Sequence, residues 1–209
     1  MNRRPSQETL AAFAAGTLDE GLSLVVAAHV AVNPRSAAEY RDLAAIGGAM
    51  LEDIEPVEME SSARDEVLTR IDATPAPLAP TAVAPPEPGL PAVLAPYRLG
   101  RWMPIGRGVA LRRVEVPGAE ARVFMLRAKP GIWLPAHRHT GCEWTTILDG
   151  AYEHQHGRYA AGDFDEADEE HAHTPHVDPK LGCTCIVALT GKVVFEGWLG
   201  RMLQPLVRL

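Results

Sequence analysis

The chain has little cysteine, no long apolar run and no excess of basic charge. Three cysteines among 209 residues, Cys142, Cys183 and Cys185, are too few for a disulfide framework, so a reducing, cytosolic address is the default expectation. No window approaches the run of about 18 uncharged apolar residues that a membrane span requires. The opening Met1-Asn2-Arg3-Arg4-Pro5-Ser6 is basic, but no apolar stretch follows it, and a secretory leader is not expected. A repeat of the solenoid kind is also missing. The net charge is −7, and the acidic excess falls entirely in the first third. Residues 1–72 carry 6 basic and 13 acidic side chains, whereas residues 73–209 carry 14 of each. An acidic segment repels phosphate and is a poor nucleic-acid binder, but it complements a basic protein surface.

What is present divides the chain in two. Between Ala73 and Pro96 lie eight of the 18 prolines, a density that blocks helices and central strands and predicts a semi-rigid linker. Before it the pattern is helical. Ser6 is placed to cap a helix through Phe13, and Leu18-Asp19-Glu20 opens a second carrying Leu22, Val25, Val26, His29 and Val30. Pro34 breaks that helix. Ser36-Ala37-Ala38-Glu39 has capping-box form and predicts a third helix to about Glu52, with Leu43, Ile46, Met50 and Leu51 on one side. A fourth is expected from Ser62, using Val67, Leu68 and Ile71. Four short helices make a marginal module that gains stability from a partner. After the linker the period changes to two. Strands are predicted over 109–116, 121–128, 143–148, 183–190 and 193–199, divided by Gly and Pro turns such as Lys129-Pro130-Gly131 and Asp149-Gly150. The expected architecture is therefore a helical unit at 1–72, a linker at 73–96 and an all-β barrel at 97–209.

Seven of the eight histidines fall between His137 and His176. In an extended strand, His137 and His139 point to one side, and Glu143 follows another even step along. His173, arriving from a separate strand, completes a set of three imidazoles and one carboxylate. These donors suit a borderline divalent ion such as zinc, iron, manganese or nickel. His154, His156, His171 and His176 are expected at the surface or behind the ligands. His171 is the rival of His173. Glu153, Asp165 and Glu166 are expected to be ordinary polar strand residues. Cys183 and Cys185 share one strand face, and a buried thiol pair is expected there rather than a disulfide.

The spacing Gly131, His137, His139, Glu143, Gly150 resembles the first cupin motif, and Gly157, Ala161-Gly162-Asp163 and His173-Thr174-Pro175 resemble the second. With the N-terminal runs Leu10 to Leu18 and Ser23 to His29, with Gly47-Gly48, Cys183-Thr184-Cys185 and Gln204-Pro205, the whole chain resembles the ChrR-type cupin anti-sigma factors. That resemblance implies a cupin, or double-stranded β-helix, barrel binding one divalent ion, with zinc as first choice. It also implies an extracytoplasmic-function sigma factor as partner and a sensor of oxidative stress of the singlet-oxygen type. The helical module of that family holds zinc through an early histidine and a His-X3-Cys-X2-Cys run. Here those positions read Arg4, His29, Asn33 and Ser36, so no N-terminal zinc is expected, because a structural site needs four ligands. Asn33 and Ser36 suit a helix end and a helix start. Two other readings compete: a metal-dependent cupin enzyme, a dioxygenase or isomerase with a helical appendage, and a homodimer assembled through its helices.

Overall fold

The computed structural model describes residues 3–74 and 87–195. Prolines 75, 77, 80, 85 and 86 of the predicted linker, the end of the last predicted strand and Gln204-Pro205 lie outside them.

Helix α1 (Gln7–Ala14) starts where Ser6 caps it, the serine side chain accepting from the Thr9 amide. Asp19 does the same for α2 (Glu20–Val32) by accepting from the Gly21 amide. The third helix departs from expectation. Helix α3 (Pro34–Glu52) begins three residues early, with Asn33 rather than Ser36 as its cap, accepting from the Ser36 amide, and Pro34 in the first turn. Proline is tolerated there because its missing N–H would have had no partner inside the helix. Ser36 therefore caps nothing and is buried inside the first turn. Helix α4 (Ala63–Ala73) buries none of its residues. Of the residues before the barrel, 92–94 form one 3-10 turn (Ala92–Leu94), whose Leu94 is buried.

Eleven strands follow among the described residues: β1 (Arg98–Leu99), β2 (Met103–Gly106), β3 (Val109–Glu115), β4 (Arg122–Ala128), β5 (His137–His139), β6 (Glu143–His154), β7 (Gly157–Ala160), β8 (Phe164–Ala167), β9 (His176–Val177), β10 (Cys183–Leu189) and β11 (Val193–Phe195). The main sheet runs β1-β3-β4-β10-β6-β7, with β2 on β3 and both β8 and β9 on β6, while β5 pairs with β11. Every pairing is antiparallel. The Asp149-Gly150 turn is not a turn. Strand β6 continues through it, and the register against β10 slips there, Cys185 facing Ile147 while Thr184 faces Asp149. Gly150 takes a φ of 73°, and a Cβ on it would sit 2.1 Å from the Gly182 carbonyl oxygen. A bulge at a glycine thus bends one long strand, so its first half pairs with β10 and β8 and its second with β7 and β9.

The sheet is buried on both faces, which explains why its central strands read as nearly continuous apolar runs. On the inner face Leu111, Phe124, Val187 and Leu189 pack around the barrel interior. On the outer face Val114, Val123, Met125, Ile186 and Ala188 join Leu10, Leu24, Val25 and Val26 of the helices in one cluster. The helical segment and the barrel therefore share a core. Their contact is close: Gly21 abuts Ala121, whose carbonyl oxygen would lie 2.9 Å from a Cβ on the glycine.

Candidate metal centre

Strand β5 aims both His137 and His139 inward, because residues two apart share a strand face, and it buries both. Glu143 opens β6 four residues beyond the end of β5. His173 belongs to no long strand but is held against His137 by a reciprocal backbone pair, N–H to O distances of 3.0 and 2.9 Å. The four donor atoms all lie within 4.8 Å of one another. His137 Nε2 is 2.9 Å from His173 Nε2, His139 Nε2 is 3.2 Å from Glu143 Oε2, and His173 Nε2 is 3.6 Å from Glu143 Oε1. Donors placed about 2.0–2.2 Å from a common ion are separated by roughly 3–3.5 Å, so these spacings suit one shared cation.

The protonation chemistry points the same way. His137 Nδ1–H donates to the Pro135 carbonyl at 2.8 Å, which leaves the Nε2 lone pair facing the site, the usual way a ligating imidazole is oriented. Burial lowers the pKa of His137 and holds that of His173 down at about 3. Burial alone would raise Glu143, but the neighbouring His139, His137 and His173 outweigh it and bring its pKa to about 2. Burial opposes a charge on His139 too, yet Glu143 more than offsets this and raises it. At neutral pH His137 and His173 therefore present lone pairs and Glu143 a carboxylate charge. A purely hydrogen-bonded arrangement leaves a nitrogen of the donor set unsatisfied, because His139 Nε2 makes no well-formed hydrogen bond among the described residues. Such orphans cost free energy unless a cation uses them. The cluster can therefore hold a divalent metal.

Residues around the ligands were only partly foreseen. His171 pairs with Asp168 at 2.6 Å on the outside and is no rival to His173. Asp165, expected to be an ordinary strand residue, is buried and accepts from Tyr152 Oη at 2.7 Å and His154 Nε2 at 2.8 Å. His154 Nδ1 in turn accepts from the His156 amide, so its tautomer is set, and its ring lies 5.0 Å from that of His173. The acidic pair Asp165-Glu166 between apolar Phe164 and Ala167 was the sequence signal for this buried network. Glu166 is not ordinary either. It points the opposite way and caps α1, accepting from the Ser6 amide at 2.8 Å and from Thr9 Oγ1 at 2.6 Å. Cys183 and Cys185 are buried free thiols lining the barrel interior, and Cys142 Sγ lies 3.3 Å from Thr190 Oγ1.

In the helical segment His29, Asn33 and Ser36 form a hydrogen-bonded knot. His29 is fully buried, and its Nε2 lies 2.8 Å from Ser36 Oγ. Asn33 spans α3 and the barrel, accepting from the Ser36 amide and donating to the Gly162 carbonyl at 2.9 Å. Arg4 pairs with Glu39 at 2.5 Å. Burial, with the charge of Arg4, lowers the His29 pKa to about 4. One neutral imidazole among an arginine, an amide and a hydroxyl does not fit zinc.

Comparison with known proteins agrees with this anatomy. Residues 93–193 match the family model described as the ChrR cupin-like domain. The anti-sigma-E factor ChrR of Cereibacter sphaeroides is 36% identical over 210 aligned positions, covering 98% of this chain and 97% of the relative. The crystal structure of Rhodobacter sphaeroides SigE in complex with the anti-sigma ChrR superposes with a TM-score of 0.75 at 34% identity, over 90% of this chain and 99% of that one. Helical segment and barrel alike are included in that similarity, and the chain belongs to the ChrR family of cupin anti-sigma factors.

Proposed function

We propose that this chain is an anti-sigma factor that binds an extracytoplasmic-function sigma factor and keeps it from polymerase. Residues 1–72 act as the binding unit, 73–96 as a linker, and 97–209 as a metal-bound cupin that senses oxidative stress. The observation that carries the reading is a surface with no cover of its own. Ile46, Met50 and Leu51 of α3 are 58%, 67% and 69% exposed, and Val67, Leu68 and Ile71 of α4 are likewise exposed. Exposed large apolar side chains clustered along a helix in this way mark an interaction site. Residues 52–72 around it carry eight acidic and two basic side chains, so the fitting partner is basic around an apolar patch. A whole-length relative is an anti-sigma-E factor, and the similar solved structure is an anti-sigma ChrR in complex with SigE. Among the described residues no helix is long and apolar enough to cross a membrane, consistent with a cytoplasmic complex.

His137, His139, Glu143 and His173 are the proposed ligands of one ion, zinc by preference, with iron, manganese or nickel suiting the same donors. Bound there, the ion would supply a charge that fixes side chains of β5, β6 and the His173 segment at one point. The N-terminal module holds none. Co-expression with the host's sigma factors and affinity capture of the full chain tests the regulatory role. One sigma factor is expected in stoichiometric complex, and capture of none refutes it. Elemental analysis should find about one equivalent of metal, falling to none in His137→Ala with His173→Ala. Two equivalents would contradict the loss of the helical site. Turnover of a diketone that depends on His137 would favour the enzyme reading instead.

A further inference from the structure

The barrel encloses a cavity of about 630 Å³. Protein interiors are packed too closely to leave such a space by accident, and its size falls within the range of roughly 300–1,000 Å³ typical of small-molecule sites. Exposed Trp133 and Ile105 stand at its rim, and buried His137 and His173 lie within. Between them the wall is apolar, built by inner-face side chains such as Phe124, Leu126, Val187 and Phe195. Polar groups along it are few and already engaged or uncharged. Tyr152 spends its hydroxyl on Asp165, and Cys183 and Cys185 are free thiols. Arg107, at the exposed rim, is the one Lys or Arg among the described lining residues. The deep end is different, because His137, Glu143 and His173 all open into it.

We infer that this cavity binds an amphiphile with one apolar chain and one anionic oxygen head, a medium-chain carboxylate in chemical class. The apolar wall selects the chain and rejects polar or doubly charged molecules, whose buried groups would find no partners. The head lies at the His137–Glu143–His173 end. Three neutral imidazoles and one carboxylate around a divalent ion leave a net positive charge, which favours an anion there. The choice of an anionic head rests on the metal reading proposed above; the apolar chain site does not. Occupancy would be felt outside the barrel. Phe124 and Leu126 alternate on β4 with Val123 and Met125, which support α2 from the opposite face.

The test is calorimetric titration of the metal-loaded full chain with sodium decanoate and with acetate. Decanoate should bind saturably at one site and at least a hundredfold more tightly than acetate, since only the former buries a chain. Val187→Phe, which fills the cavity, should weaken decanoate at least tenfold with metal content and unfolding temperature kept. Should that variant not fold, Leu126→Phe at a half-buried position provides the same reading. Absence of decanoate binding by metal-loaded protein overturns the inference, as does undiminished binding by a folded, filled variant. Metal content measured on the same sample keeps the two readings apart. A metal-free preparation refutes the metal reading alone, and 1-decanol, whose head needs no ion, then tests the cavity, with failure to bind overturning it.

Discussion

At the scale of single residues, the helical segment is organised around one buried, hydrogen-bonded histidine, His29. His29 is neutral in the folded chain because burial and Arg4 hold its pKa near 4 against 6.5 for an ordinary histidine. Above pH 6.5 both folded and unfolded chains carry it neutral, and it takes no side. As the pH falls from 6.5 toward 4 the unfolded chain binds a proton that the folded chain excludes, so stability is lost across that window, by up to about 3 kcal/mol. Urea unfolding at several pH values should show this slope, and His29→Gln, which cannot titrate, should flatten it by comparison. Ser36→Ala removes the partner of His29 Nε2, and at pH 7.5 should cost about 1–3 kcal/mol, the usual penalty for a buried polar atom left unsatisfied. The His29–Ser36 contact was not legible beforehand. Ser36 was read as a cap from its capping-box pattern, but Asn33 with Pro34 behind it starts the helix first.

At the scale of elements, β8 ties the candidate metal site to the helices. Its Asp165 faces inward to His154 and Tyr152, while Phe164 packs edge-on to His29 and Glu166 caps α1. Glu166→Gln keeps the shape and removes the charge that binds the Ser6 amide and Thr9 hydroxyl. It should destabilise the protein by about 1–2 kcal/mol, read as a lower midpoint in thermal unfolding. Gly21→Val should do more harm, because Ala121 carbonyl oxygen and Val123 Cγ2 would lie 2.9 and 3.0 Å from the new Cβ, forcing α2 off the sheet. The strongly apolar strands β3, β4 and β10 were visible in advance within a residue or two, since β-branched and aromatic runs between turn residues carry a clear signal. Strands β7, β8 and β9 were not, being short, polar or rich in histidine. Their pairing is set by the bend in β6, and a bulge has no reliable mark in a sequence beyond the glycine that permits it.

At the scale of the molecule, one core runs from the helices through the sheet, and α3 and α4 project an uncovered apolar face. A double change on that face, Met50→Asp with Leu51→Asp, should leave unfolding unchanged because both side chains are largely exposed. It should weaken capture of the sigma factor by about tenfold or more, as expected when an interface anchor is replaced by a charge; surface plasmon resonance on the full chain measures it. What the amino-acid order determined alone was local. Alternation put His137 and His139 on one face, and cap residues placed the starts of the first two helices. What only the tertiary structure decided was long-range. It brought His173 within hydrogen-bonding distance of His137 across 36 positions of chain, turned Glu166 outward and Asp165 inward, opened an apolar cavity beside the ligands, and set the helices on the outside of the barrel. The reason is physical. Side-chain direction follows from backbone period within an element, whereas the pairing of distant strands and the packing of helices depend on burial summed over the whole chain, which no short stretch encodes.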